Sequence, residues 1–163
     1  MRKAVYSAAV CSLVIAFLSA FGVAKDESVE ELKARLESAR PEDRPELCIQ
    51  IARHQLRNAD KFYVDGGIDK AGAAVDEIVT YSEKARDAAA QTKKHLKNVE
   101  IDVRKMAEKL RDIKRTLAFD DQAPIDQAIR RLEDIRTSLL KEMFASDKDK
   151  KEKKAQKEQK EQK

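Results

Sequence analysis

Apolar residues along this chain recur at helical spacing, and the stripes they form are interrupted where Pro and Gly occur. The first stripe is Val29, Leu32, Leu36 and Ala39, preceded by the capping-box pattern Ser28-x-x-Glu31 and closed by Pro41. Pro41 and Pro45 bracket a connector, after which Cys48, Ile51, Ala52, Leu56, Ala59, Phe62 and Tyr63 mark a second helix that stops at Asp65-Gly66-Gly67. From Ile68 to Ala118 the only breaker is Gly72, and one seam runs through Ala71, Val75, Ile78, Ser82, Ala85, Ala89, Thr92, Leu96, Val99, Val103, Met106, Leu110, Ile113 and Leu117. Its steps alternate between four and three residues, and every member except Ser82 and Thr92 is apolar, which is the heptad signature of a helix packed along a partner. As one helix this segment would span about 76 Å at ~1.5 Å per residue. The alternative is a break near Thr92-Lys93-Lys94-His95, where the seam is polar and charge is dense.

The width of the stripe changes along that spine. Its first half adds Ala74, Val79, Tyr81 and Ala88 beside the seam, enough for two neighbours. Its second half is flanked by Glu100, Asp102, Lys109 and Lys114, which suits a single partner with solvated edges. A turn at Phe119-Asp120-Asp121-Gln122-Ala123-Pro124 leads into that partner, with Ile125, Ala128, Ile129, Leu132, Ile135, Leu139 and Met143 on one face. The pattern predicts an all-α fold: a three-helix bundle head over 25–90 continuing into an antiparallel coiled-coil arm over 91–145, along one long central helix. Leu110 and Leu132 belong in the arm's core. Ile101 on the far side of the spine, with Leu140 and Phe144 beside the seam of the last helix, would stay exposed in a monomer; these three are the candidate interaction surface, through which a symmetric dimer is expected.

The two ends differ from the body. Arg2 and Lys3 precede an uncharged run from Ala4 to Ala24, and small residues at Gly22 and Ala24 suit a signal peptidase, so residues 1–24 are expected to be a signal peptide removed before Lys25. The alternative is an uncleaved N-terminal membrane anchor, since the run is long enough to cross a hydrocarbon core. Either way the body is expected outside the cytoplasm, periplasmic or secreted. After Ser146 come eight Lys and five acidic residues with nothing apolar larger than Ala, the composition of a charged disordered tail. Such a tail could make weak contact with an anionic surface, with its acids cancelling much of the attraction.

Composition narrows the chemistry. Of 163 residues 39% are charged and 5% aromatic, with 4 Gly, 3 Pro and no Trp, which excludes an ordinary sandwich, barrel or Rossmann domain. The whole chain carries a net charge of +4, yet the Lys-rich tail and the N-terminal pair supply the excess, so no basic face is implied. Acids interleave with the Lys and Arg of 93–115 and aromatics are missing there, arguing against nucleic acid as a partner. Cys48 would be the sole cysteine left after processing, expected buried between Leu47 and Ile51. Cys48 and His54 lie six apart and face different sides of a helix, so they make a poor metal clip, and no Cys/His cluster, phosphate loop or nucleophile elbow is present. No catalytic residue, metal or cofactor is therefore assigned.

Ala59, Phe62, Gly66, Ala71, Val75 and Ile78 are spaced as in a tetratricopeptide helical hairpin, and over residues 56–78 the chain resembles one such unit. Thirty-four residues on, the matching positions are Lys93, Leu96, Glu100, Lys105, Lys109 and Asp112, so no second copy follows. Since at least ~3 repeats are needed for a continuous core, the family's peptide groove does not carry over. The function expected is a non-enzymatic exported protein acting by contact (scaffold, adaptor or chaperone-like), with a homodimer or an envelope protein as partner. The alternative is an envelope tether that docks on an anionic membrane or polymer through the tail.

Overall fold

The computed structural model describes the backbone of residues 27–161 and the side chains of residues 27–145. The expected signal peptide lies outside the described residues, as do the side chains of the tail. Within them the chain is all-helical: α1 (Val29–Ser38), α2 (Arg44–Val64), α3 (Ile68–Thr92), α4 (Leu96–Thr116), a 3-10 turn (Phe119–Asp121) and α5 (Gln122–Glu161).

Local chemistry sets most of the ends. The Ser28 hydroxyl accepts from the Glu31 amide at 3.2 Å, and the Ser28 amide donates to the Glu31 carboxylate at 2.7 Å, so both halves of the capping box start α1. α2 closes in a Schellman turn. The Gly67 amide reaches back to the Phe62 carbonyl at 2.8 Å and the Gly66 amide to that of Tyr63 at 3.2 Å, with Gly66 at φ 74.

One core runs through the whole bundle. Seam members Ala71, Val75, Ile78, Ala85, Ala89, Leu96, Val99, Val103, Met106, Leu110 and Ile113 are all buried in it, as are Leu132, Ile135 and Leu139 of α5. Ser82, the polar member of the seam, is fully buried and donates its hydroxyl to the Ile78 carbonyl at 2.7 Å. Small residues at Ala52, Ala59, Ala71 and Ala74 let α2 and α3 approach closely. The short α1 lies across this pair, held by Lys33 to Glu77 of α3 at 2.7 Å and by the same ammonium over the Tyr81 ring.

The single central helix is corrected by the structure. Seam register holds throughout, but the spine is two helices, divided at the break that the sequence left as the alternative: Lys93, Lys94 and His95 turn the chain back between α3 and α4. The reason lies in the flanks of α4. Asp102 pairs with Arg53 and Lys109 with Asp60 of α2, at 2.8 Å for the latter. On its other side Glu100 meets Arg136 at 2.7 Å, Lys114 meets Asp126 at 2.6 Å, and Arg111 pairs with Glu133, all on α5. The charges expected to be solvated edges of a two-helix arm instead connect α4 to a helix on each side.

Those pairs also give direction. The partners of α2 and α4 advance together along both helices, so the two run parallel; Glu83–Arg131 and Lys93–Glu142 do the same for α3 and α5. α4 and α5 pair in reverse order and are antiparallel. The molecule is two antiparallel hairpins, α2–α3 and α4–α5, laid side by side with like-directed helices adjacent. Beyond Met143, the last residue packed on the core among those whose side chains are described, α5 continues to Glu161, where a disordered tail is expected from composition. Nothing after Pro124 interrupts a helix, and Lys, Glu, Gln and Ala are good helix formers.

Candidate functional site

Because α2 runs parallel to α4, the α2–α3 turn and the α4–α5 turn lie at the same end of the bundle. Burial and the negative charges of Asp121 and Asp76 push the Tyr63 phenol above its usual range, and the Asp121 influence ties the 3-10 turn to the end of α2. This end carries three of the four exposed large apolar residues among the described residues: Val64 at 82% exposure, Ile68 at 39% and Phe119 at 87%. Each sits where a helix stops or starts, so no neighbouring turn of helix covers it. Exposed Asp65, Asp69 and Asp120 surround them, and none makes an ion pair among the described residues, unlike the carboxylates along the flanks of α4. An apolar tip with an acidic rim is the composition of a contact surface.

The residues singled out from sequence are dispersed. Ile101 is half-buried and borders a cleft of about 330 Å³ between α2 and α4, with Ile49, Gln50, His95, Asn98 and Lys105. Leu140, half-buried, and Phe144, 66% exposed, lie one turn apart on α5, which flanks the opposite side of α4 from α2. The tip was missed because its three members come from distant segments and belong to no stripe. A large apolar residue beside Asp-Gly-Gly or Asp-Asp was the available signal.

Cys48 is buried between α1, α2 and α3, and burial pushes its thiol up to about 11. His95 caps α4 with a left-handed backbone and lines the α2–α4 cleft, whereas His54 borders a smaller cleft with Glu27, Leu32 and Arg57. No group of three or more His, Cys, Asp or Glu is placed to hold a metal among the described residues. No helix among them is long and apolar enough to cross a membrane. Comparison with known proteins finds no matching family model, no matching curated protein and no matching solved structure.

Proposed function

We propose that this chain acts outside the cytoplasm as a non-enzymatic helical protein working by protein–protein contact, with the tip of Val64, Ile68 and Phe119 as its main contact surface. The exposure of Phe119 beside Val64's end of the bundle supports this reading most directly. A fully exposed Phe forgoes roughly 1.5–3 kcal/mol of burial, which a partner would recover. The acidic rim favours a partner with basic residues around an apolar centre. Extracytoplasmic placement rests on the uncharged run of 4–24, and the intact mass of exported protein should correspond to a chain beginning at or near Lys25. Envelope proteins captured by wild type should be lost with Phe119→Asp and Val64→Asp but kept with Phe144→Asp. Retention by the tip variants would remove the tip from the reading.

The continuation of α5 to Glu161 favours a second reading, an envelope tether. A helix carrying seven Lys and five acids beyond the bundle would present charge at a distance from the core. Co-sedimentation with anionic vesicles, with and without residues 147–163, separates the two: the contact reading expects no difference, the tether reading a loss on truncation.

A further inference from the structure

The turn between α3 and α4 is at odds with its own sequence. From Ala73 to Ala123 there is no Gly or Pro, and the seam passes from Ala89 through Thr92 to Leu96 and Val99 without a skipped step. Local preference and heptad register therefore both ask for a helix without interruption. Yet the chain folds back there with Lys93 at φ 56 and His95 at φ 61, the two non-glycine residues of positive φ among the described residues. No side-chain hydrogen bond caps the start of α4. The connector is held by contacts at the surface: Lys93 to Glu142 at 2.6 Å, and Lys94 to Glu42 at 2.9 Å.

The connector also joins two separable units. α2–α3 and α4–α5 are hairpins, and the interfaces between them, α2 against α4 and α3 against α5, are fixed by ion pairs that name both partners: Arg53–Asp102, Asp60–Lys109 and Glu83–Arg131. If α3 and α4 straighten into one helix over residues 68–116, about 73 Å long at ~1.5 Å per residue, the hairpins of one chain can no longer meet. Their apolar faces then need cover of the same shape and charge, and a second copy carries it.

We propose that the inter-hairpin face is a self-association surface, on which the α4–α5 hairpin of one copy packs against α2–α3 of another while α3 and α4 run as one helix. Contacts between the helices of the two hairpins are retained across the two chains, so core burial and the pairs Arg53–Asp102, Asp60–Lys109 and Glu83–Arg131 are common to both forms. What differs is the connector: the exchanged form releases the left-handed backbone at Lys93 and His95, and short strained hinges favour this kind of exchange. This inference does not depend on the tip contact, which survives in a monomer.

The test uses the purified protein as its cells process it, refolded at high concentration. Sedimentation equilibrium should show a dimer. Two variants lacking native cysteines (replaced by Ser), one with Arg53→Cys and the other with Asp102→Cys, are then mixed, refolded together and treated with a short bismaleimide crosslinker. Interchain crosslinks should form, and a same-chain double variant held at low concentration confirms that the linker reaches. Lys93→Gly with His95→Gly removes the strain and weakens the continuous helix, so the dimer dissociation constant should rise by about ten-fold or more. Wild type that stays monomeric after concentrated refolding overturns the proposal. So does a dimer without the interchain link, or one that the paired glycine substitutions leave unchanged.

Discussion

Two glycines separate backbone need from accident. Gly66 has φ 74 and ends α2, so Gly66→Ala should cost about 1 kcal/mol through left-handed strain. Gly72 lies inside α3 with nothing within 4 Å of an added Cβ, and Gly72→Ala should stabilise by roughly 0.5–1 kcal/mol. Urea midpoints of the two variants should move in opposite directions. Cys48 gives a pH dependence. Burial lifts its thiol from an ordinary value near 9.0 to about 11, so the unfolded chain releases this proton first as pH rises. Its contribution is complete below about pH 9 and is lost as pH climbs toward about 11. Comparing unfolding midpoints at about pH 8 and about pH 10.5 should show an extra fall in wild type that Cys48→Ala lacks. Burial of Cys48 was legible from its neighbours Leu47 and Ile51. The near-burial of Glu100 was not, because its stripe position reads as a solvated edge and its Arg136 partner lies 36 residues away, across the α4–α5 hairpin.

At the scale of elements the sequence was most informative about register. Every seam position except Thr92 and Leu117 is buried, including Ser82, whose hydroxyl satisfies itself on its own helix. The expected capping box, the Asp-Gly-Gly stop and the Pro124 start also occur where the residues put them. The break at 93–95 was open as an alternative but could not be chosen, since neither Gly nor Pro marks it and local propensity favours continuation. Tertiary packing decides it: folding back gives α4 partners on two sides. The tail shows the opposite case, where composition suggested disorder while good helix formers without a breaker extend α5. Since Met143 is the last core-packed residue among those whose side chains are described and the residues after it carry no apolar side chain larger than Ala beyond Phe144, truncation after Ala145 should leave the bundle's unfolding midpoint within about 0.5 kcal/mol of wild type while lowering total helical circular dichroism.

For the molecule as a whole, the difference between an extended arm and a folded-back hairpin is a difference in cooperativity. An arm attached only through its spine could unfold while the rest persisted. In the structure Leu110, fully buried, belongs to the same apolar cluster as Ile51 and Ala59 of α2 and Val75 and Ile78 of α3. Each hairpin alone would expose one face of that cluster, and short isolated helical pairs are marginal. Leu110→Ala should therefore cost about 2–5 kcal/mol, and Leu110→Asp more, because a carboxylate would enter a site with no charged partner. The loss should spread beyond α4 and α5. Segment-resolved hydrogen exchange should show protection falling in α2 and α3 by a similar factor, with fluorescence and circular dichroism tracing one transition. Protection that fell only in α4 and α5 would mean that α2–α3 folds by itself, and the shared core would then contribute less than its burial implies.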